Sequence, residues 1–239
     1  MSAPAKIIAL LLLAALALAA MPARAALISM SASGTISFNS SADTTLPIGT
    51  PWTFELIYNT AAPDLDFESG GSADPTVGRF TNTGAIPALT FFHYHAGSYD
   101  VTIDDPADFG TFSSIEITFL GAVHAIDINI LNSAVFPTLA GEPVTFHADF
   151  NDGSHSSLSS DALPTNPAIG IGNFQGSSVS LLPTHGVVSS SQPDITSLTF
   201  TAVPEPPATA LFVAGILVSL TLGRRAFRKM RGMPSPHNK

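Results

Sequence analysis

The sequence predicts an all-β body, an antiparallel β-sandwich or jelly-roll-like fold, with a signal helix before it and a single transmembrane helix after it. Three observations lead to this prediction. Short segments of the body alternate apolar and polar residues with a period of two. Clusters of Gly, Pro, Asn, Asp and Ser separate these segments, and no window of the body has a convincing helical period.

Period-two alternation defines the strands one by one. In Ser114–Leu120, for example, Ile115 and Ile117 alternate with Glu116. Alternation of this kind indicates a strand with one buried face and one solvated face. The nine strands predicted along the body are Leu27–Phe38, Trp52–Tyr58, Leu89–His95, Ser98–Ile103, Ser114–Leu120, Val123–Leu131, Pro143–Phe150, Ser178–Leu182 and Ile195–Ala202.

Turn residues predict two of the connections between these strands. Gly121 joins the two strands on either side of it, and Asn151-Asp152-Gly153 is a signal for a tight hairpin. Residues Asn59–Gly84 lack any period, so we expect a long loop there, which is either functional or mobile.

The charge of the body is strongly asymmetric. Of the 18 acidic residues in the chain, all but Glu205 lie within residues 26–203, whereas of the nine Lys and Arg residues only Arg79 does. An acidic surface favours solubility and excludes nucleic acid as a partner, because phosphate binding needs Lys and Arg. The chain has no cysteine, which excludes thiol catalysis and Cys-ligated zinc.

Residues 1–25 predict a signal peptide. Lys6 supplies a positive start, an apolar run follows to residue 20, and Ala23 and Ala25 are the small residues that signal peptidase reads. We therefore expect cleavage after Ala25, with residues 26–203 forming the exported ectodomain. An uncleaved anchor is the alternative.

The C-terminal segment combines three features in a fixed order. Pro204, Glu205 and Pro206 come first, and an uncharged apolar run from Ala208 to Leu222 follows. A basic cluster then ends the run, and it consists of Arg224, Arg225, Arg228, Lys229 and Arg231. With snorkelling cations the run approaches the about 17–25 residues of a membrane-spanning helix. Because cations prefer the cytoplasmic side, we expect residues 232–239 to be a cytoplasmic tail. A helix buried in the core is the alternative.

Over residues 204–231, these features resemble the PEP-CTERM sorting signal of Gram-negative bacteria. The resemblance implies that an integral-membrane exosortase recognises Pro204, Glu205 and Pro206 and then processes or relocates the protein. It further implies an inner-membrane intermediate with its C-terminus in the cytoplasm, and a final place in the cell envelope or outside the cell. Proteins of this kind are linked to exopolysaccharide and biofilm production.

A cluster of carboxylates in the body could bind calcium. Asp100, Asp104, Asp105 and Asp108 crowd one predicted strand end and the loop after it. Calcium prefers clustered oxygen ligands, and envelope compartments contain calcium. We therefore name these four residues as calcium candidates, and expect no other cofactor.

A pair of histidines could bind zinc. His93 and His95 alternate on one predicted strand, so their imidazoles point the same way and need only a third ligand. His124 shares a face with apolar residues, and His147 lies on a solvated face beside Asp149. Surface or core histidines without a metal are the alternative.

These observations together predict a non-enzymatic protein of the cell envelope or exopolysaccharide matrix. Polar sandwich faces with exposed aromatic residues could bind sugar, so a carbohydrate-binding module is the second hypothesis. A secreted hydrolase is the third. The chain has neither a Gly-x-Ser-x-Gly motif nor a Gly-rich phosphate loop with Lys, and its many carboxylates make some acid–base pair inevitable.

Overall fold

The computed structural model describes residues 27–65, 76–120, 123–131, 134–154, 157–158 and 160–203. The predicted signal helix, the sorting and membrane segment and the cytoplasmic tail lie outside these residues. Within the described ranges, no helix is both long and apolar enough to cross a membrane.

The described residues form two antiparallel sheets and two short 3-10 turns, at Pro106–Phe109 and Ile171–Asn173. The strands are β1 (Leu27–Thr35), β2 (Phe38–Asn39), β3 (Pro51–Asn59), β4 (Val77–Thr81), β5 (Leu89–Ala96), β6 (Tyr99–Ile103), β7 (Ser114–Leu120), β8 (Val123–Ile130), β9 (Val144–Asn151), β10 (Ser178–Pro183), β11 (Val188–Ser191) and β12 (Ile195–Ala202). The five-stranded sheet has the order β12-β1-β3-β5-β6, and the seven-stranded sheet has the order β2-β11-β10-β9-β8-β7-β4. The all-β prediction is therefore confirmed.

The two sheets pack against each other in a sandwich-like arrangement around one hydrophobic core. Alternation puts every second residue of β9 inside, from Val144 to Phe150. The Phe146 ring of β9 lies 5.3 Å from the Phe54 ring and 4.8 Å from the Phe92 ring, both of which belong to the five-stranded sheet. Burial of an apolar side chain of this size contributes about 1.5–3 kcal/mol, so contacts of this kind hold the sheets together.

All nine predicted strands are present, but β2, β4 and β11 were not predicted. The expected loop at Asn59–Gly84 is wrong in part, because β4 lies inside it and pairs with β7. Gly78 and Arg79 interrupt the apolar pattern there. Glycine is required at position 78, because a Cβ there would lie 2.1 Å from the carbonyl oxygen of Asp161.

The prediction that the strands before and after Gly121 are neighbours is confirmed, since β7 and β8 pair from Leu120 and Val123 onwards, and Gly121 itself lies outside the described residues. The predicted first strand, in contrast, is too long. It ends at Thr35, and Phe38 already belongs to β2 in the other sheet. The chain thus crosses from one sheet to the other at residues 36–37, and a period of two cannot show that crossing.

The tight hairpin predicted at residues 151–153 is wrong. Asn151 still belongs to β9, and β10 begins only at Ser178. Asp152 is 1% exposed and accepts hydrogen bonds from the backbone N–H groups of Ser157 at 2.8 Å and Leu158 at 3.2 Å. The carboxylate therefore organises the start of a long connection instead of forming a hairpin turn.

Candidate functional site

The side of the seven-stranded sheet that faces away from the core carries two rows of side chains, because residues opposed in register lie side by side. The charged row consists of Arg79, Glu116, Asp127, Asp149, Ser178 and Ser191, on β4, β7, β8, β9, β10 and β11. The polar row is displaced by two residues on each strand and consists of Thr81, Ser114, Asn129, His147, Ser180, Ser189 and Phe38. We call this side of the sheet the outer face.

Two carboxylates stand together in the middle of the charged row. Asp127 and Asp149 are direct partners in the pairing of β8 with β9. The Nε2 atom of His147 lies 3.4 Å from Oδ1 of Asp127, and Nδ2 of Asn151 donates to Oδ2 of Asp149 at 2.6 Å. Each carboxylate thus has a polar partner that projects from β9.

The surroundings of Asp149 and His147 shift the pKa values of both groups. Partial burial raises the pKa of Asp149, and the charge of Asp127 raises it further. The hydrogen bond with Asp127 raises the pKa of His147, although burial of the imidazole acts in the opposite direction. Because imidazole, amide and carboxyl groups meet here, this part of the outer face can both donate and accept hydrogen bonds.

The polar row carries hydrogen-bonding side chains on six of its seven strands. Hydroxyl, amide and imidazole groups each provide donors and acceptors. Thr81, Asn129, His147 and Ser189 are half-buried, whereas Ser114 is 2% exposed and Ser180 is 9% exposed, so the first four residues are the accessible polar members of the row. At the β2 end, the row finishes with the ring of Phe38, which is 51% exposed.

A cleft of about 300 Å³ lies at the opposite end of the polar row. It is lined by Leu65, Arg79, Thr81, Thr83, Thr111, Phe112, Ser114 and Leu131. Phe112 is 78% exposed and Leu131 is 43% exposed, so two apolar side chains face solvent beside a group of hydroxyls. The Leu131 N–H donates to Oγ of Ser113 at 3.0 Å, which fastens the end of β8 to the loop that carries Phe112.

A larger cleft, of about 620 Å³, lies between residues 60–64 and 157–169. Asp64, Asp161 and the buried Phe80 are among the residues that line it. Oδ1 of Asp64 accepts a backbone N–H from β4 at 2.8 Å, so this carboxylate takes part in the loop structure. None of the described residues that line this cleft presents an exposed aromatic ring.

The predicted histidine pair lies on the other sheet. His93 and His95 share the outward side of β5, as expected, and Asp100 of β6 joins them. Oδ2 of Asp100 lies 2.9 Å from Nδ1 of His95 and 3.3 Å from Nε2 of His93. The hydrogen bond with His95, followed by that with His93, lowers the pKa of Asp100. His124, which is buried on the inner side of β8, and His147 of β9 both belong to the seven-stranded sheet and not to the sheet of the pair.

The four calcium candidates have different roles in the structure. Asp100 contacts the histidine pair, and Oδ1 of Asp105 accepts a backbone N–H at 2.9 Å at the start of the Pro106–Phe109 turn. Asp104 and Asp108 lie on exposed backbone nearby. Across the part of the chain that the structure describes, no group of three or more His, Asp or Glu side chains is arranged to hold a metal ion. Calcium and zinc binding stay predictions.

The residues that we expect to direct export and sorting lie outside the described residues. They are the cleavage position Ala25, the motif Pro204, Glu205 and Pro206, and the basic cluster, and their roles stay predictions. Comparisons with family models, with curated proteins and with solved structures find no match for this chain.

Neither the two rows nor the small cleft can be recognised from the sequence pattern. A period of two puts Asp149 and His147 on one solvated face, but it cannot tell which strand lies beside β9. Phe112 lies in a segment without alternation. The available signal was a large aromatic residue between two small polar ones, Thr111 and Ser113.

Proposed function

We propose that this chain is an exported, non-enzymatic protein of the cell envelope or the exopolysaccharide matrix, and that its sandwich is a carbohydrate-binding module there. The observation that carries the second part is the polar row, which lies between the exposed rings of Phe38 and Phe112. Sugar hydroxyls need groups that donate and accept hydrogen bonds, and the C–H faces of sugar rings pack against aromatic rings.

The terminal segments support the first part of this proposal. Signal peptidase would cleave after Ala25, and an exosortase-type membrane enzyme would read Pro204, Glu205 and Pro206. The basic cluster would keep the C-terminus on the cytoplasmic side until that step. The acidic body would remain soluble beyond the membrane.

Export and sorting are tested in the native cells with the full chain. We would compare the wild type with Glu205→Ala and with a variant in which the five cations of the basic cluster are Gln. Cell fractionation and intact-mass measurement should show wild-type protein without residues 1–25 in the outer envelope or the medium. The Glu205→Ala variant should be held at the inner membrane, and the cation variant should lose its orientation and keep its C-terminal segment unprocessed. Normal sorting of both variants would contradict the proposal.

Carbohydrate binding is tested by affinity electrophoresis of the full chain in gels that contain hydroxyethyl cellulose, galactomannan or xylan. Slower migration in at least one gel is the expected result. Unchanged migration in these three gels and in a gel with anionic carboxymethyl cellulose would remove the carbohydrate-binding part, whereas the sorting experiment would still decide the envelope part.

A secreted glycoside hydrolase is the second candidate, favoured by the Asp127–Asp149 pair. Glycosidases use two carboxyl groups, one of which has a raised pKa and acts as the acid. Release of reducing sugar by the wild type, lost in Asp149→Asn while binding is kept, would favour the hydrolase over a binding module.

We also infer a jelly-roll-like order of strands within the sandwich. The chain alternates between the two sheets from β1 to β5 and returns to the five-stranded sheet with β12. Antiparallel strands that change sheet repeatedly are typical of such double-sheet folds. A solved structure of the full chain would test this order.

A further inference from the structure

We propose that a neutral polysaccharide binds across the strands of the seven-stranded sheet, along the polar row, with one sugar ring in the small cleft against Phe112. This proposal rests on the carbohydrate-binding function proposed above and names its ligand class, its path and its anchoring residues.

The path follows from the register of the strands. The polar row has one member on each of the seven strands, from Thr81 on β4 to Phe38 on β2. Neighbouring strands lie about 4.8 Å apart, so six steps span roughly 29 Å. A row of this length can contact several linked sugar rings at once.

The two ends of the row supply the stacking surfaces. Phe38 is 51% exposed and Phe112 is 78% exposed, although both could gain about 1.5–3 kcal/mol by burial. Exposed apolar groups that are rimmed by polar residues mark binding sites. None of the strongly exposed large apolar residues in the described part of the chain lies on a strand of the five-stranded sheet.

Apolar and polar groups flank the row on opposite sides. Leu182 follows Ser180 by two residues on β10 and faces the same way, with 37% of its surface exposed, and Leu131 is exposed beside Phe112. The charged row lies along the other side. A sugar ring has hydroxyls on its edge and C–H groups on its faces, so a row between apolar and polar neighbours matches both.

The negative charge of the outer face favours an uncharged polysaccharide as the ligand. Glu116, Asp127 and Asp149 carry carboxylates directly beside the polar row, and the cation Arg79 lies 3.5 Å from Oε2 of Glu116. Carboxylates beside the polar row repel uronate or sulfate groups on a ligand that lies along it. The acidic composition of the whole body adds to that repulsion.

The test uses the full chain with four substitutions and two kinds of probe. Phe112→Ala and Phe38→Ala remove the stacking rings, Asn129→Ala removes a central member of the polar row, and His95→Ala is a matched control that removes an exposed ring from the other sheet. Far-ultraviolet circular dichroism and the fluorescence of Trp52, the one tryptophan of the chain, check that each variant is folded. The probes are the three neutral polysaccharides named above and carboxymethyl cellulose.

We expect binding to a neutral polysaccharide, weakened about three- to tenfold by Phe112→Ala and by Phe38→Ala and unchanged by His95→Ala. Oligosaccharides cut from the bound polysaccharide should bind more tightly as they lengthen, until they span the row. If all three outer-face variants bind as tightly as the wild type, the proposed path along the polar row is wrong, although the carbohydrate-binding function stands. The same conclusion follows if the affinity for oligosaccharides does not increase beyond a single sugar. A preference for carboxymethyl cellulose overturns the neutral ligand. Absence of binding to every probe overturns the function itself.

Discussion

Asp127 of β8 and Asp149 of β9 are direct cross-strand partners on the outer face of the seven-stranded sheet. Like charges in this position repel, and partial burial adds to the penalty for ionising Asp149. Such a pair reduces the stability of the body at neutral pH. It also concentrates negative charge beside the polar row, which is where the proposed ligand would lie.

Replacing Asp149 with Asn should therefore stabilise the protein at pH 7. We expect the free energy of unfolding to rise by about 0.5–1 kcal/mol, because the repulsion is removed and an amide remains. Since the folded-state pKa of Asp149 is raised, wild-type stability should increase as the pH falls through that value, and the variant should lack this increase. Urea denaturation between pH 3 and pH 7 measures both effects. Asp104→Asn, an equal charge change at an exposed position, is the control, and an equal gain there would contradict the argument.

The imidazole of His147 should make stability depend on pH near neutrality. Its folded-state pKa is raised, first by the hydrogen bond with Asp127, so its contribution is full below the ordinary value of 6.5 and is lost as the pH rises through the folded value. We expect Asp127→Asn to lower the pKa of His147, measured by NMR titration of the imidazole. In urea denaturation from pH 5.5 to pH 8.5, His147→Gln should show a flatter profile than the wild type. An unchanged titration in Asp127→Asn would refute the assignment.

The buried carboxylate of Asp152 should be one of the strongest determinants of stability outside the apolar core. Its two oxygens accept hydrogen bonds from Ser154, Ser157 and Leu158. Removing them leaves the buried N–H of Leu158 and the half-buried N–H of Ser157 without acceptors. We expect Asp152→Ala to cost about 2–3 kcal/mol, with Asp152→Asn intermediate because one oxygen is kept.

The same residue should contribute to acid unfolding. Burial acts to raise the pKa of Asp152, but its hydrogen bonds outweigh that effect and hold the pKa below the ordinary value. Its contribution is therefore present above the ordinary value of 3.8 and is lost as the pH falls through the lower, folded value. Urea denaturation at pH 7 and pH 3 should show a smaller difference between wild type and Asp152→Ala at the lower pH. An equal difference at both pH values would contradict this role.

Most of the strands could be predicted from the sequence, but apart from the pair β7 and β8 their neighbours could not. Alternation such as that of Ile115 and Ile117 depends on one strand alone, and it identified β7 correctly. The rows of the outer face depend on which strands pair and in which register. Phe112 lies beside one end of the polar row and Phe38 forms its other end. No local pattern shows this relationship, because the two residues are far apart in sequence. Segments with small or polar residues, such as Ser189 and Ser190 of β11, lack the apolar signal altogether, although Ser190 is buried.

Gly34 provides a test of how closely the strands pack. It lies opposite Trp52 in the pairing of β1 with β3, where the register with β12 also shifts. A Cβ at this position would lie 2.4 Å from the carbonyl oxygen of Asp194 and 2.7 Å from Cζ2 of Trp52. Because one of these contacts is with backbone, relaxation is costly, and we expect Gly34→Ala to lower the free energy of unfolding by about 1–3 kcal/mol.

The matched control is Gly172→Ala, because a Cβ at Gly172 meets nothing within 4 Å. Removing backbone freedom from the unfolded chain should make that variant as stable as the wild type or slightly more stable. Trp52 fluorescence during urea denaturation follows both variants, and Gly34→Ala should also alter the emission of the folded state because the new methyl group presses on the indole. Equal stability of the two variants would show that β1 and β12 can move apart at Gly34 without a loss of free energy of unfolding. Contacts other than those at Gly34 would then stabilise this edge of the five-stranded sheet.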